Sequence, residues 1–210
     1  MTRPALIHLD SASYRRAPWK NGGGVTVDIA GAYTPGAAQG DWGGTIWRFG
    51  RTRIERAGPF SDLSGFDRLL AVVEGDGLVL HPAGSPALDV RARFHPVRFP
   101  GEWRIESELE GGPVGVVNLM ADRRRAAIDL RFAIEPGHLA FGPGTLVLHA
   151  AAGAAAFEIA GRSINLAADD ALQVEADTPI TLTHYSGVIA AASIQARPDT
   201  ESRRPGYLAL

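Results

Sequence analysis

Apolar residues in this chain recur at every second position in short runs, and glycine or proline interrupts each run before it grows long. A period of two builds strands with one buried face, whereas an amphipathic helix needs a 3.6-residue period sustained over three or more turns. Runs of the first kind cover Val25–Ala30, Thr45–Arg56, Leu69–Val73, Leu78–Leu80, Leu88–Phe94, Trp103–Leu109, Val114–Leu119 and Ala127–Ile134. They continue over Thr145–Ala150, Ala155–Ile159, Ser163–Leu166, Ile180–His184 and Val188–Ile194. The joints carry turn residues, as in Ala57-Gly58-Pro59, Gly75-Asp76-Gly77, Gly111-Gly112-Pro113 and Gly142-Pro143-Gly144. With 25 glycines and 14 prolines in 210 residues, long helices have no room, and an all-β sandwich or barrel is predicted. The alanines of Ala150–Ala156 suit a helix, but Gly153 and the strands on either side favour a turn. A shift of 76 positions lays Leu70, Gly77, Leu88 and Val90 over Leu146, Gly153, Ile164 and Leu166, a repeat that would make two similar barrels.

Several function classes drop out on composition. A formal net charge of -2 offers no basic footprint for nucleic acid. The absence of cysteine excludes disulfides, thiolate metal sites and cysteine nucleophiles. No apolar stretch approaches the roughly 20 residues of a membrane span. The first residues, MTRPALIHLDSASYRR, lack the apolar core of a signal peptide, so a cytoplasmic location without membrane partners is expected.

Strand alternation makes a definite statement over Thr45–Arg56. One face carries Ile46, Arg48, Gly50, Thr52 and Ile54; the other carries Trp47, Phe49, Arg51, Arg53 and Glu55, whose far half is expected to face solvent. Arg48 is the only charge on the first face, and a buried arginine needs an anion. It either pairs with an internal carboxylate such as Asp28 or anchors a carboxylate ligand through its guanidinium fork. Asp28 alternates with Val27 and Ile29, on the less apolar face of its strand, which counts against the first option.

The six histidines show no metal-ligand spacing, and no nucleophile elbow, phosphate loop or dinucleotide fingerprint is present. Asn21-Gly22-Gly23-Gly24 leads into a strand rather than a helix, so it builds no helix-terminus anion site. Its glycines can still expose backbone donors, flanked by Asn21 and by Lys20, the single lysine of the chain. Asn118 sits inside the apolar run Val116–Met120, where a buried amide needs partners.

The apolar strand closed by Glu74-Gly75-Asp76-Gly77 resembles the first motif of cupin barrels. By that motif's spacing the three metal-ligand positions fall on Asp62, Ser64 and Arg68, a set that argues against a bound metal. Arg68 is then either a solvated turn arginine or a cation pointed where the metal would sit. Taken in order, PWKNGGGVTVDIA (Pro18–Ala30), IWR (Ile46–Arg48), GPFS (Gly58–Ser61), GFDRLL (Gly65–Leu70), FPG (Phe99–Gly101) and VNLM with Arg123 resemble the HutD/Ves family over about residues 14–125. The resemblance implies a bicupin, two small β-barrels in one chain, divided here into 1–125 and 126–210, with no catalytic metal and no cofactor. It also implies an association with histidine utilisation and the sensing or buffering of an intermediate such as urocanate or N-formylglutamate. The small carboxylate would meet Lys20, Asn21, Arg48, Ser61, Arg68, Asn118 and Arg123. Gly50, Thr52 and Val116 depart from the family pattern and bear on which ligand fits. No enzyme activity comes with the resemblance; a metal-independent enzyme, a structural bicupin without ligand, and a homodimer all remain open.

Overall fold

In the computed structural model, which describes residues 3–18, 23–38 and 40–198, the alternating runs become strands, with two single-turn 3-10 helices and no α-helix among the described residues. The strands of the first part are β1 (Ala5–Leu9), β2 (Arg15–Pro18), β3 (Gly24–Tyr33), β4 (Thr45–Ile54), β5 (Gly58–Pro59) and β6 (Phe66–Glu74). There follow β7 (Leu78–Pro82), β8 (Leu88–Asp89), β9 (Val97–Pro100), β10 (Ile105–Leu109) and β11 (Val114–Asp122). The second part holds β12 (Ala126–Ala133), β13 (Gly137–Phe141), β14 (Gly144–Ala150), β15 (Ala155–Ile159), β16 (Arg162–Leu166), β17 (Ala171–Ala176), β18 (Ile180–Ser186) and β19 (Ile189–Ala196). No helix among the described residues is long and apolar enough to cross a membrane.

Four antiparallel sheets form two barrels, the bicupin arrangement. A six-stranded sheet, β2-β3-β4-β11-β6-β9, faces a four-stranded one, β5-β10-β7-β8; a five-stranded sheet, β1-β17-β14-β19-β12, faces β13-β18-β15-β16. Leu70, Val72 and Val116 meet Leu78, Leu80 and Ile105 inside the first barrel; Leu146, Leu148 and Val174 meet Phe157, Ile159 and Leu182 inside the second. The 76-residue shift is a structural repeat. β6 lies between β9 and β11 as β14 lies between β17 and β19, and β7 lies between β8 and β10 as β15 lies between β16 and β18.

The two large sheets pack back to back. Trp47, Phe49, Leu69, Val117 and Leu119 of the first half press on Ala126, Ala171, Ala190 and Ala192 of the second. Alanines on both sheets, Ala71 and Ala121 on one and Ala126, Ala171, Ala190 and Ala192 on the other, let the larger side chains interdigitate across the seam. Near that seam the chain crosses over, because β1 pairs with β17 rather than with its own neighbours.

Six strands lie outside the runs picked out by alternation: β1, β2, β5, β9, β13 and β17. Each is at an edge or is half solvated. β1, for example, exposes three of its five residues and so shows no apolar stripe. Conversely Leu88–Phe94 pairs only over its first two residues, and Ala150–Ala156 carries the chain from β14 in one sheet to β15 in the facing one, turning at Gly153 with φ +79°. Trp47 and Phe49 are buried in the seam, whereas Arg53 and Glu55 at the far half of β4 reach solvent.

Gly50 is demanded by a close strand approach. β3 bulges between Asp28 and Ala30, and a Cβ on Gly50 would stand 2.6 Å from the Val27 carbonyl oxygen. Gly50→Ala is expected to destabilise the protein by about 1–2 kcal/mol, read as a lower urea midpoint with an unchanged slope.

Candidate functional site

Strand register places the polar residues of the first barrel on one inward face. Arg48 and Arg68 both stand opposite Met120, and Phe99 stands opposite Arg68. One pair further along, Asp28, Gly50, Asn118 and Leu70 form the next cross-strand row. Beyond them Ile54, Val72, Val114 and Val116 close the barrel with an apolar plug. The polar end is therefore a shelf above a sealed core, and it carries more guanidinium than carboxylate.

Arg48 is buried and its Nε donates to Asp28 Oδ1; its Nη2 contacts the same oxygen. Asp28 also accepts from Arg15 Nε at 3.0 Å and Nη2 at 2.8 Å. The expectation that Asp28 would not reach Arg48 is thus corrected. Both faces of the large sheet are buried, one in the seam and one in the barrel, and the less apolar face is the one that looks into the barrel. Trp42, from the loop between β3 and β4, covers the Arg48 guanidinium at 5.2 Å and meets Phe66 edge-on at 5.6 Å.

Arg68 has no such carboxylate. It is 7% exposed, lies against the rings of Phe60 and Phe99 at 5.1 and 5.0 Å, and makes no hydrogen bond or ion pair among the described residues. Its Nε is sealed from solvent without a partner. Burial lowers its pKa to about 10. Two cation–π contacts are worth roughly 0.5–2 kcal/mol each, less than the several kcal/mol that desolvating an unpaired cation costs. On the neighbouring strand Asn118 is 6% exposed and its amide oxygen is also bare. Opposite it stands Gly50, which adds no polar group that could reach the amide. The shelf therefore presents an unneutralised fork of donors beside an unsatisfied acceptor, which matches an anion that also carries an N–H group.

The other residues singled out in the sequence are placed differently. Ser61 is exposed on the loop that follows Phe60. Arg123 is held at the strand ends by Glu102 at 2.7 Å, Asp67 at 3.1 Å and the Phe66 carbonyl at 2.7 Å, off the inward row. Lys20 and Asn21 lie outside the described residues. Asp62 accepts from the Ser64 amide and hydroxyl in an exposed turn, so these two cupin positions form a local turn while Arg68 points inward. Among the described residues no three His, Asp or Glu side chains converge as metal ligands. Sequence reasoning missed Arg15, Trp42, Phe60 and Phe99 as members of the site. The β2 pairing that brings Arg15 to Asp28 runs through a strand without an apolar stripe, and the two aromatics that clamp Arg68 come from separate elements.

A family model described as HutD matches residues 11–190. A Pseudomonas putida protein described as an uncharacterized 21.2 kDa protein in the hutC 3' region is 32% identical over 168 residues, covering 80% of this chain and 85% of that one. Among solved structures, HutD from Pseudomonas fluorescens SBW25 in a formate condition superposes with a TM-score of 0.77 at 25% identity, covering 92% of this chain and all of the other. A conserved protein of unknown function from Pseudomonas aeruginosa PAO1 gives 0.79 at 27% identity, covering 91% and 99%.

Proposed function

The chain belongs to the HutD family, linked to histidine utilisation, and from that premise we propose that its first barrel reversibly binds a small carboxylate, acting as a sensor or buffer of a histidine-breakdown intermediate. The observation that carries this reading is Arg68, a buried cation with no counter-charge among the described residues, set beside the bare amide oxygen of Asn118. The carboxylate lies on the Arg68 fork, which the Phe60 and Phe99 rings back. An N–H of the ligand donates to Asn118. Urocanate, through its imidazole, and N-formylglutamate, through its amide, both pair a carboxylate with such a donor. Arg48 has a different part: bound to Asp28 and covered by Trp42, it braces the shelf and adds positive potential.

Calorimetric titration tests this with urocanate, N-formylglutamate and formate. Formate is the anion named for the condition of the Pseudomonas fluorescens relative, and it lacks an N–H. Asn118→Leu is expected to weaken the first two about tenfold and to leave formate unchanged, since one hydrogen bond contributes about 1 kcal/mol or slightly more. No heat and no thermal shift with any of the three at millimolar concentration, in a folded wild-type protein, would overturn the reading.

A further inference from the structure

The back of the same large sheet carries a second polar cavity, at the seam between the halves. It is a crevice of about 360 Å3, within the usual size range of small-molecule sites. Its floor is set by register. Val27 stands between Arg16 of β2 and Arg51 of β4, and Val25 stands opposite Arg53, so an apolar stripe runs between guanidiniums. The facing wall comes from the second half and brings His149 and Asp169.

Two features of this crevice have no structural account. His149 is 1% exposed, yet neither ring nitrogen has a well-formed hydrogen bond, and only the Asp169 and Asp170 backbones lie close to the ring. The nearest acid, Asp169, stands 4.0 Å from its Nε2, beyond hydrogen-bond reach, because its carboxylate is held by Arg51. Asp169 adopts a left-handed backbone, φ +68°, uncommon for a residue with a side chain. The second feature is charge. Arg51 is shared between Asp169 and Glu74, and Arg53 between Glu55 and Glu74, but Arg16 has no partner among the described residues. With Glu55 counted, three guanidiniums meet three carboxylates here, and Arg16 is the one that none of these carboxylates reaches.

We propose that this crevice is a second ligand site, separate from the Arg68 shelf, for a small monocarboxylate with a flat apolar body. The body lies on Val25 and Val27. The carboxylate bridges Arg16 and Arg51 and displaces Asp169 from the latter. Asp169, released, closes the 4.0 Å gap and accepts a hydrogen bond from His149 Nε2–H. One ligand thus gives Arg16 a partner and gives the buried imidazole one at Nε2, while coupling the two halves through Arg51 and Asp169.

Benzoate is a suitable probe, with benzamide as its uncharged counterpart, followed by NMR of ring-labelled histidines in the full chain. Arg16 is exposed on an edge strand, so Arg16→Met leaves the fold intact. Benzoate is expected to shift the His149 ring signals. The midpoint should rise about tenfold or more in Arg16→Met, stay unchanged in Arg68→Met, and be at least about tenfold higher for benzamide, as the loss of one charged hydrogen bond requires. No His149 shift up to tens of millimolar benzoate, equal response to benzamide, or a response abolished by Arg68→Met but not by Arg16→Met would each overturn the proposal. Because the variants are different residues, failure here leaves the Arg68 shelf untouched, and the reverse also holds.

Discussion

Replacing Arg68 by Met raises the melting temperature of the ligand-free protein and weakens its response to urocanate and N-formylglutamate. The guanidinium is desolvated and has no carboxylate partner among the described residues, and the rings of Phe60 and Phe99 return only part of that cost. Met keeps an unbranched chain in the same slot and packs its sulfur against both rings without a charge to desolvate. A stabilisation of about 1–3 kcal/mol is expected, or roughly 2–10 °C for a chain of this size. Affinity for urocanate and N-formylglutamate should fall about 10- to 100-fold, the worth of one charged hydrogen bond of about 1.5–3 kcal/mol. Arg68→Lys keeps the charge but loses the planar fork, and its affinity should lie between the two. Thermal unfolding with and without ligand, together with calorimetry, reads both effects. Opposite signs for stability and binding mark a residue kept for a ligand. A variant that is less stable by more than about 1 kcal/mol, with binding intact, would make Arg68 a structural residue instead.

The period-two runs made the all-β class and most of the strands legible, because alternation is a local property that survives in any one sequence. Edge strands such as β1 were not legible: β1 is half solvated, and its partner β17 lies far along the chain, with His8 opposite Leu172. The inward face of β4 was legible as Arg48, Gly50, Thr52 and Ile54, but which counter-ion Arg48 takes was not. Alternation separates two faces and cannot say which of two buried faces is a seam between sheets and which is the inside of a barrel. Arg68 was placed by the spacing of the cupin motif, and its isolation from any carboxylate became visible only in three dimensions. Arg123 shows the opposite failure. It stands in a motif, yet Glu102 and Asp67 account for it fully at the strand ends. His149 looked like one more scattered histidine, and nothing in Leu148-His149-Ala150 announces a sealed ring without partners.

That sealed ring should govern how the protein responds to mild acid. Burial is the main cause that pushes the His149 pKa from its ordinary 6.5 down to about 4; Arg51 pushes the same way, and Asp169 opposes both. As pH falls from about 6.5 towards 4, an unfolded chain takes up a proton on this imidazole while the folded chain does not. The unfolded state then binds more protons, so stability drops across that window and is independent of this group above it. The full difference amounts to about 3 kcal/mol, taking about 1.4 kcal/mol for each pKa unit. His149→Phe removes the titration while keeping a ring that can stay edge-on to Phe49. Asp122, Asp170 and Glu102, whose pKa values lie below the ordinary carboxylate range, are common to both proteins and cancel in the comparison. Urea unfolding between pH 7.5 and 4 should therefore show wild type losing about 3 kcal/mol more than His149→Phe, with the gap opening below about pH 6.5. Parallel profiles across that range would mean that the ring takes up its proton in the folded state at its ordinary pKa. The 4.0 Å gap to Asp169 would then close on protonation alone, and the bare nitrogens would no longer call for a ligand.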